Sequence, residues 1–137
     1  MKVILDTNVL LSAFFKTDSP PYKLVQAWIE DRFSLVTSFD QIEELVRVCR
    51  YPKVRALISP AEVGWLVNRL RDRTLLLKKL PVVEVSNDSA DNFLFAMAEA
   101  GDADYLVTGD KSGVLAFGHH HTTRVVTVRQ MVNILKI

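Results

Sequence analysis

Short apolar runs bounded by polar or turn-forming residues recur along the chain at residues 2–5, 33–37, 82–85, 105–108 and 124–126. Their length and their β-branched or aromatic content predict buried strands. Between them the apolar residues fall at helical spacing. Leu24, Val25, Trp28 and Ile29 form one stripe after Pro20-Pro21, and Ile42, Leu45, Val46 and Cys49 form another. A third stripe, Val63, Leu66, Val67 and Leu70, follows Ser59-Pro60 and predicts a helix running to about Leu77. Asp88 or Ser89 caps the next helix, whose interior from Phe93 to Ala98 is apolar on nearly all sides, so it is expected to be mostly buried and to stop near Gly101.

Ser38-Phe39-Asp40-Gln41 and Thr127-Val128-Arg129-Gln130 have the form of capping boxes, each directly after a strand. Strands that alternate with helices need crossover connections and therefore lie parallel. The expected fold is a three-layer α/β/α arrangement with a mostly parallel central sheet of about five strands. At 137 residues the chain fits one domain, 1–137, with no repeat and no Pro/Gly/Ser-rich linker.

Composition narrows the setting. An acid at Asp6 falls inside what would have to be the apolar part of a signal peptide, which points to a cytoplasmic protein. Apolar runs are broken by charge well short of the roughly 20 residues that span a bilayer, so no membrane partner is expected. The lone Cys49 has no disulfide partner in the chain and reads as a small core side chain. Net charge is +1, so the distribution of charge matters more than its sum. Two basic clusters stand out, Arg47, Arg50, Lys53 and Arg55, and then Arg69, Arg71, Arg73, Lys78 and Lys79. Such clusters either track a phosphate backbone or simply solvate helix faces.

The chemistry lies at strand ends. Val3-Ile4-Leu5-Asp6 and Tyr105-Leu106-Val107-Thr108-Gly109-Asp110 both run from a buried strand into a carboxylate. In an open α/β sheet ligands bind at the carboxyl edge, so Asp6 and Asp110 are expected at one crevice. Two buried acids side by side repel each other, and a divalent cation relieves that repulsion. Asp91, in the first turn of its helix, either joins them or is an ordinary helix-start acid. Periodicity leaves open which of Glu43 and Glu44 faces the crevice.

These motifs, together with Thr7-Asn8, Thr37-Ser38, Glu44-Leu45 and Asp91-Asn92-Phe93-Leu94, resemble the PIN-domain family nearly end to end, and within it the VapC-like toxins of prokaryotic toxin-antitoxin pairs. The resemblance implies that the four family acids fall on Asp6, Glu44, Asp91 and Asp110, and that they hold Mg or Mn. It also implies that Thr7, Asn8 and Thr108 orient them. Many relatives carry a further acid where this chain has Ser112, whose hydroxyl adds no charge, so a second cation is expected to be held less tightly.

The implied activity is hydrolysis of RNA by a metal-activated water, with Arg47 and Lys111 contacting phosphate. A homodimer and an antitoxin protein are implied as partners. The alternatives are a non-catalytic scaffold that binds protein and a structure-specific DNA nuclease. Aspartyl phosphotransfer of the haloacid-dehalogenase type fits poorly, because it requires a second Asp where Asn8 stands. A receiver domain fits poorly too, since residues 82–85 offer only Glu84. Neighbours in a regular strand or helix point in different directions, so His119-His120-His121 is expected to form a surface loop rather than a metal site.

Overall fold

The structure, a computed structural model, describes residues 1–109 and 114–137. Among the described residues six strands form one sheet: β1 (Lys2–Leu5), β2 (Ser34–Ser38), β3 (Leu75–Leu77), β4 (Tyr105–Val107), β5 (His119–His120) and β6 (Thr123–Val126). Their order is β3-β2-β1-β4-β6-β5, parallel throughout except for β5 against β6. The helices are α1 (Thr7–Ser12), α2 (Pro20–Ile29), α3 (Phe39–Val48), α4 (Pro52–Arg55), α5 (Pro60–Asp72), α6 (Ser89–Gly101) and α7 (Val128–Leu135), with a 3-10 turn at Val114–Phe117.

Alternation along the strands builds two separate cores. Val3 and Leu5 of β1 pack with Leu35 and Val107 beneath α1, α2, α3, α5 and α7, where Leu10, Leu24, Trp28, Leu45, Leu66 and Met131 are buried. Ile4, Val36, Leu106 and Val125 point the other way, onto Leu94, Phe95, Met97 and Ala98 of α6. The layers are therefore α/β/α, as the strand and helix patterns predict. At about 25 cal/mol per Å2, each of the buried Val, Leu, Ile, Phe and Met side chains contributes about 1.5–3 kcal/mol. No helix among the described residues is long and apolar enough to cross a membrane.

The caps follow the sequence with one exception. Ser59 with Glu62 and Thr127 with Gln130 form complete capping boxes, and the Asp88 side chain accepts from the Ala90 amide at the start of α6. At α3 only half the box forms: Ser38 accepts from the Gln41 amide, but the Gln41 side chain is used elsewhere.

The third strand is not at residues 82–85. That segment is unpaired, and Val82 is 90 % exposed. The strand is Leu75–Leu77, which the sequence pattern assigns to the end of α5. The helix stops at Asp72 because tertiary contacts capture its end. Arg73 donates to the Ile29 carbonyl and offers its own carbonyl to Trp28 Nε1, and the Thr74 hydroxyl turns back to the Leu70 carbonyl. The leucines beyond are then free to pair in register with Val36, Thr37 and Ser38.

The sheet gains a sixth strand because His119–His120 pairs antiparallel with Arg124 and Thr123, so the histidine run is not a plain loop. Gly101 ends α6 without a left-handed turn, which falls instead on Asp102 at φ 50°. The glycine serves close approach: a Cβ there would stand 2.7 Å from Val36 Cγ1.

Candidate active site

The strand order reverses between β1 and β4, since the chain lays β2 and β3 to one side of β1 and later β4 and β6 to the other. Such a switch point opens a crevice at the carboxyl ends of the two strands. The β1/β4 register pairs Leu5 with Val107, so the next residues, Asp6 and Thr108, face each other across it. The Asp6 amide donates to the Val107 carbonyl at 2.9 Å, and the Thr108 hydroxyl donates to Asp6 Oδ2 at 2.9 Å.

A cleft of about 330 Å3 opens there, lined by Asp6, Thr7, Asn8, Glu44, Arg47 and Asp91 together with Val48, Asp88, Ala90, Phe93, Leu94 and Val114. Three of the four expected acids thus meet. Asp110, Lys111 and Ser112 lie outside the described residues. Glu44 is half-buried at the cleft, while Glu43 is exposed and does not line it, which resolves the choice that periodicity left open.

Each acid is placed by a different device. Asp6 follows β1 and stands at the N-cap of α1. Its carboxyl is held above the ordinary value of 3.8, first by burial and further by the charge of Glu44. The Thr108 hydroxyl and the amides of Asn8 and Thr7 draw it partly back. Glu44 depends on Gln41, one turn earlier on α3. The Gln41 amide group donates to the Leu5 carbonyl at 2.8 Å, and its oxygen accepts from the Thr37 hydroxyl at 2.6 Å. Gln41 thereby ties α3 to β2 and to the residue just before Asp6.

Asp91 is 7 % exposed and accepts from the Ser86 hydroxyl at 3.0 Å. The neighbouring Asn92 side chain accepts the amides of Val85 and Ser86 and donates to the Ser86 carbonyl, which folds the unpaired 82–86 segment against the start of α6. Gln41, Ser86 and Asn92 are site residues that no motif in the sequence marks as such. For Gln41 a polar residue at a buried helical position was the available signal, and capping explained it away; half-buried Asn92 and Ser86, which precedes α6, carried no such signal.

Of the two basic clusters, only the first reaches the cleft, through Arg47. Arg50, Lys53 and Arg55 continue from it as exposed side chains. In the second cluster Arg73 is bonded to Ile29 and Asp31, and Arg69 stacks over Trp65 at 5.1 Å.

Oxygen donors of three elements around a half-buried carboxyl fit a hard divalent cation better than a soft one. Two features of the chain support that fit: the raised Asp6 carboxyl, and Thr7 Oγ1, which is buried in the cleft wall without a hydrogen-bond partner among the described residues. The chain is thus a doubly wound α/β domain with an acidic cleft at its switch point. A family model for the PIN domain matches residues 2–112, and the chain belongs to that family. Its members are generally nucleases that use divalent metals. The chain is also similar to an uncharacterized protein of Methanocaldococcus jannaschii, 25 % identical over 112 residues that span 81 % of this chain and 72 % of the other.

Proposed function

We propose that the protein is a Mg- or Mn-dependent ribonuclease. The observation that carries this reading is the meeting of Asp6, Glu44 and Asp91, from three separate elements, in one cleft with Arg47 beside them. A divalent cation bound by these carboxylates supplies charge neutralisation and Lewis-acid activation of water. Asp6 and Asp91, with Asp110 after β4, are the ligands, and Glu44 completes the set. Thr108 fixes the rotamer of Asp6, and Ser86 fixes that of Asp91. Thr7, Asn8 and Ser112 serve as the polar surround.

Arg47 and Lys111 contact phosphates of the bound strand, and Arg50, Lys53 and Arg55 extend that track. These contacts read charge rather than base identity, so sequence preference must come from elsewhere. The resemblance to VapC-like toxins supports a cytoplasmic toxin of a type II pair that forms a homodimer and is blocked by an antitoxin.

The test is cleavage of single-stranded RNA and of matched DNA with Mn or Mg, with and without EDTA, by wild type and Asp6→Asn. Metal-dependent RNA cleavage that the variant loses supports the reading. Equal cleavage by the variant overturns the site, and cleavage of DNA alone overturns the substrate. A properly folded protein that cuts neither under any metal favours a binding scaffold.

A further inference from the structure

The opposite end of α6 carries a second group of metal-ligand side chains that the nuclease reading does not use. Asp91 begins the helix at the acidic cleft, and Glu99 lies in its last turn, eight residues on and so about 12 Å along the axis. There Glu99 meets the histidines of the edge hairpin. His120 Nε2 lies 2.7 Å from Glu99 Oε2 and His121 Nε2 lies 3.8 Å from the same oxygen. One donor atom from each of the three residues falls within 4.8 Å of the others.

Adjacent residues of a regular strand could not do this, because they face opposite ways. His121 leaves the strand at φ 52°, which swings its ring to 4.5 Å from that of His120. The positive φ is that of the two-residue turn joining β5 to β6, and it leaves both imidazoles beside one carboxylate.

From these residues we propose a transition-metal site of the Zn2+ class, ligated by Glu99, His120 and His121. Tetrahedral zinc with bonds of about 2.0–2.2 Å to nitrogen and oxygen sets its donors roughly 3.3–3.5 Å apart; the ion would take the place of the proton shared in the 2.7 Å His120–Glu99 hydrogen bond, opening that pair and drawing His121 in from 3.8 Å. Two imidazoles and one carboxylate form the three-ligand set that leaves a fourth position for water. Nitrogen donors separate this site from the oxygen-only cleft: borderline cations prefer the histidines, and Mg or Mn prefers the acids.

The surroundings agree. His120 is 8 % exposed and packs at 4.6 Å on the Phe95 ring, which holds one ligand rigid in an apolar wall. Asp102 lines the same depression, and the C-terminal end of α6 adds its negative dipole. The ion would clamp the β5–β6 hairpin to the helix that carries Asp91 at its other end. This site is independent of the nuclease reading, since it shares no residue with the cleft.

The experiment uses untagged full-length protein in the Asp6→Asn background, so that cleft binding is suppressed. Zinc chloride is titrated by equilibrium dialysis and by thermal melting, and Co2+ reports nitrogen ligation through its visible spectrum. One Zn2+ per chain is expected, with an upward shift of the melting midpoint by mass action. Exposed His121→Ala is expected to weaken binding by at least about 10- to 100-fold, and Glu99→Gln, which keeps an oxygen on His120, by a similar factor.

Both variants are surface changes whose folding is read from their metal-free melts. Two results overturn the proposal: unchanged Zn2+ affinity in both variants, or no Zn2+ shift in the background protein. Loss of RNA cleavage in Asp6→Asn with the Zn2+ shift retained separates this site from the nuclease, whichever of the two survives its own test.

Discussion

At the carboxyl edge of the sheet Asp6, Glu44 and Asp91 crowd acids of one sign around a cleft, and burial together with Glu44 raises the Asp6 carboxyl. At the amino edge Glu99 is matched by His120, Thr123 donates to the Ala103 carbonyl at 2.6 Å, and Gly101 seats α6 against Val36. The first arrangement costs stability in the metal-free protein and is paired with chemistry, while in the second Glu99 and His120 already pair with each other before any ion binds. The same helix and the same strands serve both. What differs is whether the polar groups already pair with opposite partners inside the chain or crowd together as like charges that only a cation relieves.

The largest expected effect is at the acidic edge. Asp6→Asn should lower metal-dependent RNA cleavage by about 10²- to 10³-fold, the size of losing one charge-stabilising group. In the absence of metal the same variant should melt higher than wild type, because it removes a disfavoured buried charge. A lower metal-free melt would break the contrast between the two edges.

Next in size is Gln41→Leu, which leaves the Leu5 carbonyl and the Thr37 hydroxyl buried without partners. At about 1–3 kcal/mol for each unpaired group, denaturant titration should show a clear loss of stability. Cleavage should fall as well, since α3 no longer holds Glu44 in register with Asp6. Retention of full activity would show that Gln41 positions nothing.

Gly101→Ala probes the other edge. The new methyl meets Val36 Cγ1, and overpacking of this kind costs about 1–3 kcal/mol. The melting midpoint should drop while cleavage by the folded fraction stays at the wild-type level.

The smallest effect is one of pH. In the metal-free protein the folded state keeps the Asp6 proton at pH values where the unfolded chain has already released it. Stability should therefore fall as pH rises from the ordinary 3.8 through the raised folded value, and level off above it. The difference between wild-type and Asp6→Asn unfolding curves isolates that slope. A difference that grows in the opposite direction would mean that Asp6 is stabilised as an anion without metal.

Strands β1, β2, β4 and β6, the buried α6 and most helix caps were legible in the sequence. Each rests on interactions among residues close in the chain, an apolar run, a hydroxyl three residues before its amide, a proline at the first turn. Asp6 and Asp91 were legible as candidates for the same reason: their positions at a strand end and a helix start are local facts. The family resemblance then selected Glu44 over Glu43, and the cleft lining agrees.

What tertiary structure alone decided depends on partners far along the chain. Leu75–Leu77 became a strand because the edge of β2 was open to pair with it, whereas residues 82–85, with better strand composition, found no such edge. Strand formation follows the available neighbour more than intrinsic preference. Gln41 became a tie between three elements because Leu5, 36 residues earlier, offered a carbonyl. The histidine run gained a shared carboxylate because β6 drew it to the end of α6, where Glu99 stands. Local sequence fixes what a segment prefers, and the unsatisfied hydrogen-bonding groups of distant segments decide which preference is realised.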